Sequence, residues 1–80
     1  MKFKVEGGQY TTICYGLYNS LTEAMHAAEE NTEYWDNWAG WNTPAITETN
    51  DRGEELCILP RYTKRQGEPW LDRETGEYIH

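Results

Sequence analysis

The sequence lacks any long apolar run. Nothing in its 80 residues is long enough to span a bilayer, and no apolar N-terminal stretch suggests a signal peptide. Cysteine is scarce. Cys14 and Cys57 lie far apart, and no C-x-x-C or H-x-x-x-H spacing links them to His26 or His80, the two histidines. A metal centre needs ligands that converge, so neither metal nor cofactor is expected. The expected setting is the cytosol, with reduced thiols. Both cysteines sit in strand-like runs and are expected to be small buried hydrophobes, placed so that they could be neighbours in a sheet.

Motifs of catalysis are missing too. There is no P-loop, no G-x-G-x-x-G and no G-x-S-x-G, and Gly7-Gly8 alone is too little to cradle a phosphate. The adjacent acids Glu29-Glu30 and Glu54-Glu55 make poor acid–base pairs, because neighbours on a strand point to opposite sides. A non-enzyme is therefore expected. One nucleophilic arrangement stays open, Cys14 or Cys57 with His26 as base.

Positive charge is in short supply. Seven Lys and Arg stand against fourteen Asp and Glu, for a net charge of −7. The imbalance is uneven. Residues 1–32 carry two lysines against four glutamates, residues 33–59 carry Arg52 against six acids, and residues 60–80 carry four charges of each sign. A negative field repels nucleic acid and anionic membrane and attracts basic protein surfaces. Of the basic residues only Arg61, Lys64 and Arg65 cluster, short of a cationic groove, so direct nucleic-acid binding is not expected, nor a membrane partner.

What is present reads as one small α+β domain spanning residues 1–80. A chain of this length buries about 60–65% of its unfolded surface, so its core is small. Phe3 and Val5 alternate with Lys2 and Lys4, the period of a half-buried strand. Gly7-Gly8 signals a hairpin into the Tyr10–Tyr18 run, where Ile13, Tyr15 and Leu17 are expected on one face and Gly16 marks a bulge or a close backbone approach. Ser20 and Glu23 match a capping box. Leu21, Ala24, Met25 and Ala28 then form a helical stripe, opposite Thr22, His26, Glu29 and Glu30, so a helix is expected from Leu21 to about Asn31. Ala45 to Thr49 reads as a strand and Asn50-Asp-Arg-Gly53 as a turn, with Gly53 suited to positive φ. Glu54 to Leu59 reads as the return strand, with Leu56 and Ile58 on one face and Pro60 as its end. Residues 61–68 look like a loop. A last hairpin is expected over residues 69–79, turning near Glu74 to Gly76 and anchored by Trp70, Leu71, Tyr78 and Ile79. The expected architecture is a small antiparallel sheet of two or three hairpins with one amphipathic helix packed across it.

Residues 34–41, Tyr-Trp-Asp-Asn-Trp-Ala-Gly-Trp, hold four of the eleven aromatics. The segment reads as a loop, or as a loop with a short helix, since one helical face carries Trp35, Trp38 and Trp41 only if Gly40 does not end it. These side chains either close the core between helix and sheet or stand partly exposed as anchors for a partner. In the second case Tyr34, Trp35, Trp38 and Trp41 lie beside Glu33 and Asp36. Glu48, Asp51, Glu54 and Glu55 then extend the same acidic patch, suited to an Arg- and Lys-rich surface. The same acids also serve plain solubility.

The small size, the acidity, and a hairpin followed by Tyr18-Asn-Ser20-Leu-Thr-Glu23-Ala24 and later by Ile46-Thr-Glu48 and a Gly53-Glu turn give residues 1–59 a likeness of type. The chain resembles the short acidic orphan proteins that bacteriophages and other mobile elements use to disable host enzymes or defence systems, anti-CRISPR proteins included. The resemblance implies a stoichiometric inhibitor acting in the bacterial cytoplasm. Its target would be a host protein with a basic surface, such as a nucleic-acid-handling or defence enzyme. Some members of that group imitate nucleic acid with rows of carboxylates denser than those here. The alternative is a small-ligand or carbohydrate-binding module, with indoles stacking on sugar rings and Asp36, Asn37 and Asn42 bonding hydroxyls. If Trp38 is a partner anchor, Trp38→Ala is expected to weaken partner binding by about 2 kcal/mol or more with the fold intact, as measured by calorimetry and circular dichroism.

Overall fold

The computed structural model describes residues 1–7, 13–30, 44–57, 59–65 and 67–79. Within them lie six strands and one helix: β1 (Lys2–Gly7), β2 (Ile13–Tyr18), α1 (Leu21–Glu30), β3 (Ala45–Thr49), β4 (Tyr62–Thr63), β5 (Trp70–Asp72) and β6 (Glu77–Ile79). The strands form one antiparallel sheet in the order β2-β1-β3-β4-β5-β6. The chain is thus α+β, with α1 packed against β1 and β2. The aromatic segment 34–41, including Tyr34, Trp35, Asp36, Trp38 and Trp41, lies outside the described residues, as does Glu33.

The alternation in β1 does what its period requires. Val5 pairs with Ile46 of β3, and Ile46 pairs with Tyr62 of β4, so one face carries an apolar row across three strands. Val5, Ile46, Tyr62 and Trp70 are buried there with Ala24 and Ala28 of the helix. Lys4 falls on the other face, opposite Leu17 and Thr47. Burying Val5 and Ile46 stabilises the fold by about 1.5–3 kcal/mol each.

The β1–β2 ladder shifts register between Val5 and Glu6: Val5 faces Gly16 but Glu6 faces Cys14. Tyr15 is the extra residue of a bulge, and Gly16, at φ 145°, adopts the backbone that an L side chain resists. The expected single face through Leu17 fails for this reason. Leu17 stands opposite Lys4 and is exposed. The bulge also leaves Cys14 exposed beside Glu6, and Cys57 is exposed in a loop, so both thiols are free and neither is a buried hydrophobe.

The helix begins where its cap dictates. The Glu23 backbone N–H donates to Ser20 Oγ at 3.1 Å, and the Ala24 N–H donates to the Ser20 carbonyl. Ala24 and Ala28 are buried, and Leu21 and Met25 pack against the core from its margin. Thr22, His26, Glu29 and Glu30 face outward. Two alanines at the contact let the helix lie close to the sheet. Trp70 joins the helix to the far strands, its indole N–H donating to Glu29 Oε1 at 3.0 Å.

The turn after β3 forms as expected. Asn50 Oδ1 accepts from the N–H groups of Arg52 and Glu54, and Gly53 has φ 86°. The return strand does not. Among the described residues of that stretch the chain pairs with β3 at Thr49 and Glu55, and the Leu56 N–H donates to the Glu48 carbonyl. Regular pairing resumes only at Tyr62 opposite Ile46. Three steps along β3, from 49 to 46, are thus met by seven on its partner, from 55 to 62, and among the described residues Cys57, Leu59 and Pro60 belong to no strand. The residues expected to be a loop therefore supply β4. The last hairpin is present, with Gly76 at φ 77° in its turn. Trp70 anchors it, while Tyr78 and Ile79 are exposed rather than buried.

Removing the cap with Ser20→Ala is expected to lower unfolding free energy by about 1 kcal/mol, with Ser20→Asp largely retaining it. Ile46→Ala is expected to lower it by about 2–5 kcal/mol. Urea unfolding followed by circular dichroism measures both.

Candidate partner-binding surface

The acidic residues of the middle third divide into two groups. Glu48 projects from β3 on the helix side of the sheet, in register with Phe3, and is mostly buried. Its Oε1 accepts from Arg61 Nη1 at 3.0 Å. The same guanidinium donates Nε to Asp72 Oδ1 at 3.2 Å and Nη2 to Asp72 Oδ2 at 3.1 Å, a two-pronged contact, and lies 3.2 Å from Glu74. It also sits 5.1 Å from the centre of the Tyr62 ring. The backbone of Arg61 is fixed as well, its N–H donating to the Ile46 carbonyl and its own carbonyl accepting from Arg73. Hydrogen bonds from Arg61 hold the Asp72 carboxyl below its ordinary range, helped by the Glu74 N–H. Those to Asp72 and then Glu48 push the Arg61 guanidinium further toward its charged form. Burial raises the Tyr62 phenol.

Asp51, Glu54 and Glu55 belong to the loop after β3 and are exposed. Asp51 lies 3.1 Å from the Met1 amine. Glu55 takes the Lys4 ammonium, which also contacts Glu6 at 2.8 Å. The hydrogen bond to Glu55, then that to Glu6, raises the Lys4 pKa. This pairing ties the loop to the sheet face away from α1. Leu17 contributes, since a side chain at Gly53 would meet its Cδ1 at 2.9 Å. The structure therefore brings Asp51, Glu54 and Glu55 together on one loop and commits Glu48 to Arg61.

Sequence reasoning missed the apolar part of this loop. Leu56 is 56% exposed and Leu59 66%, and Cys57 is exposed between them. The available signal was Leu56-Cys-Ile-Leu-Pro60, an apolar run without alternation that a proline closes. Such a run fits a doubly buried strand, yet no second layer exists among the described residues to cover it.

Nothing described assembles the nucleophilic site. His26 stands on the outer face of α1, 3.5 Å from Glu30. Cys14 pairs with Glu6 across the sheet, and Cys57 borders a cleft with Arg61, Arg73 and Glu74. Among the described residues no three His, Cys, Asp or Glu side chains are placed to hold a metal ion, and no helix is long and apolar enough to cross a membrane.

The lowered Asp72 value fixes a sign. Its ionised form stabilises the fold fully above the ordinary 3.8, and that contribution disappears as pH falls through the lower folded value. Asp72→Asn is expected to reduce stability at neutral pH and to flatten the fall in stability below 3.8, as read from urea midpoints across the acid range.

The chain matches no protein-family model, no curated protein and no solved structure. Its function has to be read from its own residues.

Proposed function

We propose that the protein is a non-enzymatic, phage-type inhibitor that binds a bacterial host protein and occludes its basic site, the target being a nucleic-acid-handling or defence enzyme of CRISPR type. The observation that carries this reading is the loop after β3, where exposed Leu56 and Leu59 follow directly on Asp51, Glu54 and Glu55. Two leucines expelled into water are unfavourable by the hydrophobic effect unless something covers them. An apolar centre with an acidic rim is the arrangement that docks on an Arg- and Lys-rich surface. Charge speeds the encounter, and the apolar contacts slow departure. The loop is also held in shape before binding, by Asn50, by the Thr49–Glu55 bridge and by Lys4, which lowers the ordering penalty. Glu33, Tyr34, Trp35, Asp36, Trp38 and Trp41 form the aromatic part of the same proposal.

The test uses the full chain against bacterial lysate at low and high salt, followed by inhibition assays on the captured protein. Wild type is expected to retain one partner at low salt, to lose it at high salt, and to inhibit it in proportion to binding. The double variant Leu56→Ser, Leu59→Ser is expected to lose about 2 kcal/mol or more of affinity. Its stability should stay within about 0.5 kcal/mol of wild type, since both side chains are exposed. A partner bound equally by both proteins removes the loop from the proposal, and one bound without inhibition removes occlusion.

A further inference from the structure

A second surface crosses β4, β5 and β6 and carries the opposite charge. Thr63 pairs with Leu71, and Leu71 pairs with Tyr78, so these three residues form one row across β4, β5 and β6. The row sits on the face away from α1, because Tyr62, Trp70 and Asp72 point the other way and are buried. It floors a groove of about 430 Å³. Arg65 lies two residues beyond Thr63, and Arg73 two residues beyond Leu71, so antiparallel pairing puts one arginine on each side of the row, displaced in opposite directions along the strands. Both are exposed, and among the described residues neither guanidinium is paired with a carboxylate. Lys64 also lines the groove, its ammonium 4.0 Å from Glu29. Glu68, whose N–H donates to the Arg65 carbonyl, is the acid on the rim.

We propose that this groove binds a single nucleotide, its base resting on Tyr78 and Leu71 and its phosphate groups on Arg65 and Arg73. The volume falls at the small end of the range for ligand sites, the size of one nucleotide and not of a folded partner. Tyr78 is 49% exposed, which leaves its ring available for stacking. Arginine is the side chain whose planar fork matches a phosphate. With one arginine on each side of the row, a nucleoside 3′,5′-bisphosphate offers a phosphate to each. Glu68 offers an acceptor to an exocyclic amine of the base. The chain's net charge of −7 argues against a long polyanion, whose further phosphates would meet the acidic remainder, and so favours a free nucleotide over a strand. Arg73 also lines the cleft beside Cys57 and Leu59, whereas Arg65, Leu71 and Tyr78 do not, so the Arg65 and Tyr78 variants separate this proposal from the leucine loop.

The experiment is an amide-shift titration of the full chain at low salt. The probes are adenosine 3′,5′-bisphosphate, adenosine 5′-monophosphate, adenosine, inorganic phosphate, a single-stranded oligonucleotide and an acidic peptide. Saturable shifts confined to residues 63–65, 68–73 and 78 are expected, strongest for the bisphosphate and weaker for the monophosphate. Arg65→Ala and Arg73→Ala are each expected to weaken the bisphosphate about tenfold or more, the size of one lost charge-assisted contact. Tyr78→Ala is expected to bring the bisphosphate down toward inorganic phosphate. Unchanged circular dichroism confirms the fold of each variant. The proposal is overturned by an absence of saturation, by indifference to both arginine changes, by inorganic phosphate binding as tightly as the bisphosphate, or by tighter binding of the acidic peptide or the oligonucleotide.

Discussion

The guanidinium of Arg61 is the constraint on which the far half of the sheet depends. β4 has two residues and β5 and β6 three each, too few for ladder hydrogen bonds alone to hold them. Arg61 adds what the ladder lacks. Its side chain joins Glu48 of β3 to Asp72 of β5 and Glu74 of the following turn, and its backbone bonds both to Ile46 and to Arg73. Arginine suits this place because its fork takes Asp72 with two donors and still reaches Glu48 with a third nitrogen; a lysine ammonium is a single point. Trp70 provides the second tie, from β5 to the last turn of α1. Between them these two side chains turn a short C-terminal ribbon into a continuation of the main sheet.

That constraint also explains the expelled leucines. Once Arg61 is bound to Ile46 on one side and Asp72 on the other, Tyr62 must fall opposite Ile46. The Asn50 turn independently sets Glu55 opposite Thr49. The two fixed points leave more chain between them than β3 can pair, and the described part of the surplus is Cys57, Leu59 and Pro60. Pro60 has no N–H to give a ladder, so the excursion loses little by ending there. The described apolar residues Leu56, Cys57 and Leu59 are thus held out of the sheet by two registers that cannot both be met by a regular strand.

Elements whose signals are local were legible in the chain. Ser20 and Glu23 marked the helix start, Leu21, Ala24, Met25 and Ala28 marked its buried stripe, and Gly53 and Gly76 marked turns, since each rests on neighbours within four residues. The strand at Tyr62 was not, because its cause is Arg61 meeting Glu48 and Asp72, thirteen and eleven residues away. Leu56 failed for the same reason. Tyr78 and Ile79 failed for another, since a two-residue period gives the faces of a hairpin but not whether a second layer lies above either one. Of the acidic site, Asp51, Glu54 and Glu55 were readable as one loop, whereas Glu48, equally acidic in sequence, belongs to the Arg61 cluster.

Charge counted along the chain differs from charge presented to solvent. The last third is neutral by composition, yet its charges are sorted by the sheet. Asp72 and Glu74 are drawn to Arg61, and with them Glu48 from the acidic middle, while Arg65 and Arg73 stay exposed. At the other end Lys4 absorbs Glu6 and Glu55 but leaves Glu54 exposed on the loop. Pairing therefore concentrates what remains: a negative, apolar loop beside β3 and a positive, aromatic groove across β4 to β6. Field strength at a surface depends on these residual charges within about a Debye length, roughly 8 Å at physiological salt, and far less on the total. A net charge of −7 can accordingly coexist with a local site for an anion, and the two surfaces are far enough apart in chemistry to select different ligands.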